Sequence, residues 1–192
     1  LLRGKGNIRN ITCALHCWTF GLDGKLKGTP HFKDKVENVD LPVVQLHEWQ
    51  GLLFKNRAPE LNLKDHGLEN YYNFDGYEYI KTESETYQFN WKVFMEIYLE
   101  NYHVFSMHPG LKKYVTPSDL EWCIGRDYSI QKVGMGSDLT KANTDIYKDW
   151  QDILMKQFGG ELPRYGAIWG LLYPNVMMEW YPHVLVISTV YP

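Results

Sequence analysis

The sequence holds only three cysteines, Cys13, Cys17 and Cys123. That is too few and too uneven for a disulfide framework, so a reducing compartment such as the cytoplasm is expected. No stretch of about 18 consecutive apolar residues occurs, which leaves no candidate for a membrane-spanning helix. Runs of lysine and arginine are also missing, and the formal net charge is −3. Neither nucleic acid nor a membrane surface is therefore an expected partner. The first residues, Leu1-Leu2-Arg3-Gly4-Lys5-Gly6, lack an initiator Met and an apolar signal core, and Val184–Pro192 stops in what reads as strand. The chain is expected to be an internal portion of a longer protein.

Hydrophobic residues make up 44% of the chain and aromatic residues 15%, enough for a real core and suited to a sheet with large packed faces. In the first part, Asn7–Ala14 reads as a short strand. Trp18–Phe20 and Leu22–Leu26 read as a hairpin turning at Asp23-Gly24. Leu41–Asn56 reads as two strands broken near Glu48-Trp49. Arg57-Ala58-Pro59 marks a boundary, which divides the chain into residues 1–60 and 61–192. In the second part, alternation over Tyr77–Trp91 predicts a long strand. Lys92–Tyr102, free of Gly and Pro, predicts a helix. Thr144–Phe158 is the clearest helix, with Ile146, Trp150, Ile153, Leu154 and Phe158 on one face, Thr144 as its cap and Gly159-Gly160 as its end. Tyr165–Tyr191 returns to strand around a Pro174-Asn175 turn. The expected class is α+β: a small all-β unit followed by an antiparallel sheet crossed by long helices.

Two constellations carry chemistry. Cys13 and His16 stand three apart ahead of a hairpin, so one loop can present a thiolate and an imidazole, a pair suited to zinc or an iron–sulfur cluster. The same spacing also fits a buried Cys beside an unrelated His. His103 and His108 are five apart, too far for adjacent turns of a regular helix. They can converge if the helix ends between them, as Pro109-Gly110 suggests, and two imidazoles with one carboxylate leave positions open at Fe(II). Glu100, one helical turn before His103, is open to three readings: a ligand, a partner of His103, or a solvated charge.

Taken together the constellations carry a resemblance. Ile11–Leu26, with Cys13-Ala14-Leu15-His16-Cys17-Trp18-Thr19-Phe20 and then Asp23-Gly24, resembles the second half of a Rieske motif. Asn90-Trp91-Lys92, a helix, Glu100-Asn101-Tyr102-His103 and then His108 are similar to the catalytic iron segment of Rieske-type non-haem iron ring-hydroxylating oxygenases, large (alpha, terminal oxygenase) subunit. Gly170–Met177 resembles that family's Tyr-Pro-Asn turn. The resemblance implies an all-β Rieske domain, represented by its C-terminal portion in residues 1–60. The catalytic domain's N-terminal part, a helix-grip, START-like sheet with long helices, would occupy 61–192. It implies that Cys13 and His16 bind a [2Fe–2S] cluster, with a first Cys-x-His pair upstream of residue 1. His103 and His108 would bind a mononuclear Fe(II), with an aspartate as third ligand beyond Pro192. Glu100 would be the inter-subunit electron bridge in a homotrimer, with or without a small beta subunit. Electrons would come from NAD(P)H through a reductase or ferredoxin, and O2 would be used to hydroxylate a small organic substrate.

An aromatic substrate is the default, with a methoxy or quaternary-amine substrate as the alternative. Two further readings, a non-catalytic START-like ligand-binding module and a zinc-stabilised domain, differ in metal content. Cys17 stands where the family has Gly and reads as a packed small residue, and Cys123 reads as a buried thiol. Trp18 and Trp91 read as core. Tyr102 could bond near the site or pack. Phe94, Met95 and Phe105 could line a pocket or fill the core. Ile97 replaces a common Asn. His31, His47, His66 and His183 match no ligand position and read as surface or turn.

Overall fold

A computed structural model describes residues 1–192 except Lys5, Lys35, 112–114 and 137–143. The chain forms two compact units, Leu1–Glu48 with Leu52–Ala58, and Trp49–Gly51 with Pro59–Pro192.

In the first unit, β1 (Ile11–Thr12), β2 (Thr19–Phe20) and β3 (Leu26–Gly28) form an antiparallel sheet. The expected strand Asn7–Ala14 is confined to two residues. The Asp23-Gly24 turn lies where the sequence predicts it. Asp23 Oδ1 accepts from the Lys25 N–H at 3.1 Å, and Gly24 takes φ 78°, a conformation that costs glycine little. A second hairpin pairs β4 (Leu46–Trp49) with β5 (Leu52–Lys55). It turns at Gln50-Gly51, both at positive φ, a little later than the expected break, because two such residues match the twist of a tight hairpin.

The second unit is built on a five-stranded antiparallel meander: β6 (Val115–Ile124), β7 (Tyr128–Met135), β8 (Tyr165–Leu172), β9 (Val176–Tyr181) and β10 (Val184–Thr189). All eight residues of β8 are buried, so both faces of the sheet are covered. Register sorts those faces. Gln131, Trp169 and Glu179 stand side by side, as do Leu171 and Met177, and Val133 and Ala167. This face receives α1 (Trp91–Tyr98) and α2 (Val104–Met107). Met95 packs with Leu171 and Met177, and Val104 packs with Val115, Val133, Ala167 and Trp169. Asn90 caps α1 by accepting from the Lys92 N–H at 2.9 Å.

The opposite face carries Ile168, Gly170, Met178 and Trp180 and is covered by residues before α1. The Tyr71 ring meets Trp180 edge-on at 4.9 Å. The fully buried Tyr72 hydroxyl lies 3.2 Å from Ile168 O and 3.3 Å from Met178 O. Gly170 makes room for that hydroxyl, because a Cβ there would come within 2.8 Å of it.

Several expectations are corrected. The helix expected over Lys92–Tyr102 is instead α1, which ends at Tyr98, with the separate α2 after it, and the expected long helices are of 8, 4 and 13 residues. Tyr77–Trp91 forms no strand before α1 begins at Trp91, since alternation without a partner strand leaves the backbone groups nothing to pair with. β6 and β7, which the sequence pattern did not disclose, supply two of the five strands. The last helix, α3 (Asp145–Gln157), is capped by Thr144, whose side chain accepts from the Tyr147 N–H at 3.3 Å, and Gly159 and Gly160 follow it at positive φ. Its expected apolar face is narrower than predicted: Leu154 is buried, but Ile146 is 81% and Ile153 55% exposed.

Gly170→Ala is expected to lower stability by about 1–3 kcal/mol through overpacking, measured by urea unfolding, and Tyr72→Phe should reduce that loss in a double-mutant cycle. Thr144→Ala should cost about 1 kcal/mol through its lost cap, read by the same method.

Candidate metal centre

His103 is the residue that leads into α2 and His108 the one that leaves it. Four helical residues thus separate the two imidazoles, and the break at His108 (φ −122°, ψ 67°) turns the second back toward the first. The rings stand 5.2 Å apart between centres with planes at 75°. Two imidazoles holding one transition-metal ion at about 2.1 Å and near-tetrahedral angles would have centres roughly 5 Å apart, so the observed pair fits a shared ion.

Glu100 organises the pair. His103 Nδ1–H donates to Glu100 Oε1, and Oε2 accepts from the backbone N–H of Tyr102 and, at 3.3 Å, from that of His103. Partial burial pushes the Glu100 carboxyl up, but the His103 side chain and the two backbone donors outweigh it and hold the group below the usual carboxylate range. A carboxylate on Nδ1 keeps the proton there and leaves Nε2 with a free lone pair for a metal. Among the described residues no group of three or more His, Cys, Asp or Glu converges as a complete metal site.

Both histidines line a cavity of about 630 Å³. Its wall includes Phe94, Ile97, Tyr98, Val104, Met107 and Leu111, an apolar surface interrupted by Glu100 and by one group the sequence reading passed over. That group is Glu179, with Trp169 and Tyr181 beside it. Trp169 Nε1–H donates to the Tyr181 hydroxyl at 3.0 Å, which in turn donates to Glu179 Oε2 at 3.0 Å. Burial pushes the Glu179 carboxyl up, and the Tyr181 donor opposes it. The signal available in the sequence was a single carboxylate within the apolar run Val176-Met177-Met178-Glu179-Trp180-Tyr181, where alternation assigns it to the face of Met177.

The other expected site residues lie in the first unit. Cys13 and His16 share a tight loop in which the Cys17 N–H donates to Cys13 O at 2.9 Å and the Cys13 N–H to Trp18 O at 2.8 Å. The backbone N–H groups of Leu15 and then His16 lower the pKa of the Cys13 thiol, favouring the thiolate that metal binding needs. Cys17 is corrected from packed to exposed. It takes φ 59°, the left-handed region that favours glycine. Cys123 is buried, Met95 is core, Phe94 lines the cavity, and Tyr102 points to solvent at 86% exposure. His66, expected at the surface or in a turn, lies in the helical turn Lys64–His66, half-buried, and its Nε2 hydrogen-bonds the Tyr128 hydroxyl at 2.7 Å.

Comparison with known proteins gives this geometry a family. The model of the ring hydroxylating alpha subunit (catalytic domain) matches residues 73–192. A putrescine 2-hydroxylase from Ralstonia nicotianae is 45% identical over all of this chain and 53% of its own length, and one from Bordetella bronchiseptica is 40% identical over 95% of this chain and 43% of its own. The chain thus spans about half the length of these curated relatives. In fold, it is similar to a quaternary ammonium Rieske monooxygenase crystallised with an inhibitor, at a TM-score of 0.69 and 20% identity over the whole chain and 51% of that structure. The chain belongs to the ring hydroxylating alpha subunit (catalytic domain) family.

Proposed function

We propose that this chain is the part of a Rieske-type non-haem iron oxygenase that contributes two histidines to the mononuclear iron and half of the ligands to the Rieske cluster. The observation that carries the reading is the edge-on pair His103 and His108, with ring centres 5.2 Å apart in the wall of a largely apolar cavity, and with Glu100 fixing the tautomer of the first. In the complete protein His103 and His108 would hold Fe(II) with an aspartate from outside residues 1–192, while Cys13 and His16 would hold one side of the [2Fe–2S] cluster. When bound, the two metal groups would supply the redox chemistry by which substrate, O2, two electrons and two protons give hydroxylated product and water.

The chain's own residues do the rest. Glu100 holds the Nδ1 proton of His103 and keeps that ring in one orientation. A carboxylate has room for further donors beyond the three it accepts here, which supports a contact to a cluster histidine of a neighbouring subunit in a homotrimer. The apolar wall offers the substrate's carbon skeleton a surface to pack on. The five-stranded antiparallel sheet, with α1 and α2 against one face, supports a helix-grip, START-like catalytic domain. A reductase or ferredoxin would supply the electrons.

A cavity of about 630 Å³ suits a small organic molecule. Both an aromatic ring and an alkylamine match that size. We favour the alkylamine, because the two relatives that cover nearly all of this chain are named for putrescine.

In the full-length subunit, His103→Ala and His108→Ala should each abolish product formation and deplete mononuclear iron, while the absorption of the cluster stays. Iron analysis of the unmodified subunit that finds cluster iron alone would instead favour a ligand-binding module. Glu100→Gln should retain both metals and lower turnover roughly 10- to 100-fold, the usual effect of losing a ligand's hydrogen-bond partner. Unchanged turnover with both metals bound would remove the bridging role.

A further inference from the structure

Glu179 is a carboxylate placed where a carboxylate is costly. It sits on β9, on the sheet face that carries Trp169 and receives α1 and α2, and it borders the same cavity as His103 and His108. Desolvation disfavours its charge, yet among the described residues no lysine, arginine or histidine pairs with it. A burial of this kind without a counter-charge lowers stability unless something else gains from it.

The surroundings fix the orientation of the group. Because the Tyr181 hydroxyl accepts the Trp169 indole N–H, its own proton is directed to Glu179 Oε2. The other oxygen, Oε1, has no donor among the described residues. Tyr98, Trp169 and Tyr181 line the same cavity as Glu179. The Tyr98 hydroxyl is itself committed to Met178 O at 3.0 Å, so it does not compete for the carboxylate. A carboxylate with an oxygen open to the cavity, in a wall that also holds three aromatic rings, suits a cation better than a neutral ring.

We infer that Glu179 is the residue that selects an alkylammonium substrate: its carboxylate takes the ammonium group, Tyr98, Trp169 and Tyr181 enclose it, and the alkyl chain extends toward His103 and His108. This inference rests on the proposed oxygenase reading and deepens it by naming the substrate's charge. It makes Glu179 a specificity residue with no part in metal binding.

The test uses the full-length, metal-loaded subunit and three variants. In Glu179→Gln the shape and the acceptor for Tyr181 are kept while the charge is lost. Affinity for 1,4-diaminobutane by calorimetry should fall about 10- to 100-fold, the range for removing a charged partner from a hydrogen bond. KM should rise with it, while mononuclear iron content stays unchanged and the unfolding midpoint stays level or rises. Glu179→Asp should recover part of the affinity, and Tyr181→Phe should weaken binding less than Glu179→Gln. Diamine affinity and KM in Glu179→Gln equal to those of the unmodified subunit would overturn the role of Glu179 while leaving the amine oxygenase standing. An unmodified, metal-replete subunit that hydroxylates neutral aromatic compounds and neither binds nor hydroxylates any alkylamine would overturn both.

Discussion

Val104 lies between the two histidines and is almost wholly buried, packed into the sheet against Val115, Val133, Ala167 and Trp169. The four-residue α2 is too short to persist by its own hydrogen bonds, so this contact holds it in place. With Val104 seated, His103 and His108 at the two ends of the turn have little freedom of position, and both border the cavity. The same strand that receives Val104 supplies Trp169, and its neighbour supplies Glu179. One packing contact therefore links the two histidines to the sheet face that bears the half-buried Glu179.

The site was more legible in the sequence than the fold around it. His103, His108 and Glu100 stand within nine residues, and local geometry alone decides whether they meet. The expected bend is made differently: α1 ends at Tyr98, before both histidines, and the separate α2 fills the gap between them, while spacing alone left Glu100 open to three roles. By contrast β6 and β7 hide their pattern. β6 contains Pro117 and a register shift between Thr116 and Leu120, which breaks the alternation. β7 buries Ser129, Gln131 and Lys132, polar residues that read as exposed until their partners are known. Lys132 is covered because Glu121 meets it at 2.9 Å from the adjacent strand, a pairing no local pattern contains.

The opposite error, strand predicted where none forms, has the same origin. Tyr77–Trp91 alternates well, but extended chain becomes sheet only when another edge is offered to it. In α3 the helix itself was evident from its cap and its glycines, while the width of its buried stripe was not, because that depends on what the helix meets. Glu179 shares the face of Met177 by alternation, but Met177 and Met178 on opposite faces are both buried, so alternation does not say which face borders a cavity; the register with Trp169 does. Cys17 shows how a backbone angle can pass for a packing choice, since glycine's usual place in that loop reflects φ rather than size.

The hydrogen bonds of Glu100 join a side chain to two kinds of partner, the imidazole of His103 and the peptide groups that open α2. The carboxylate, the ring and the start of the helix are consequently tethered as one rigid piece. When the helix shifts in thermal motion, acid and imidazole travel with it, and their separation is buffered from breathing of the wall. Flexibility for admitting a guest can then reside in the exposed side chains of α2, such as Met107 and Phe105, without loosening the alignment on which proton placement rests.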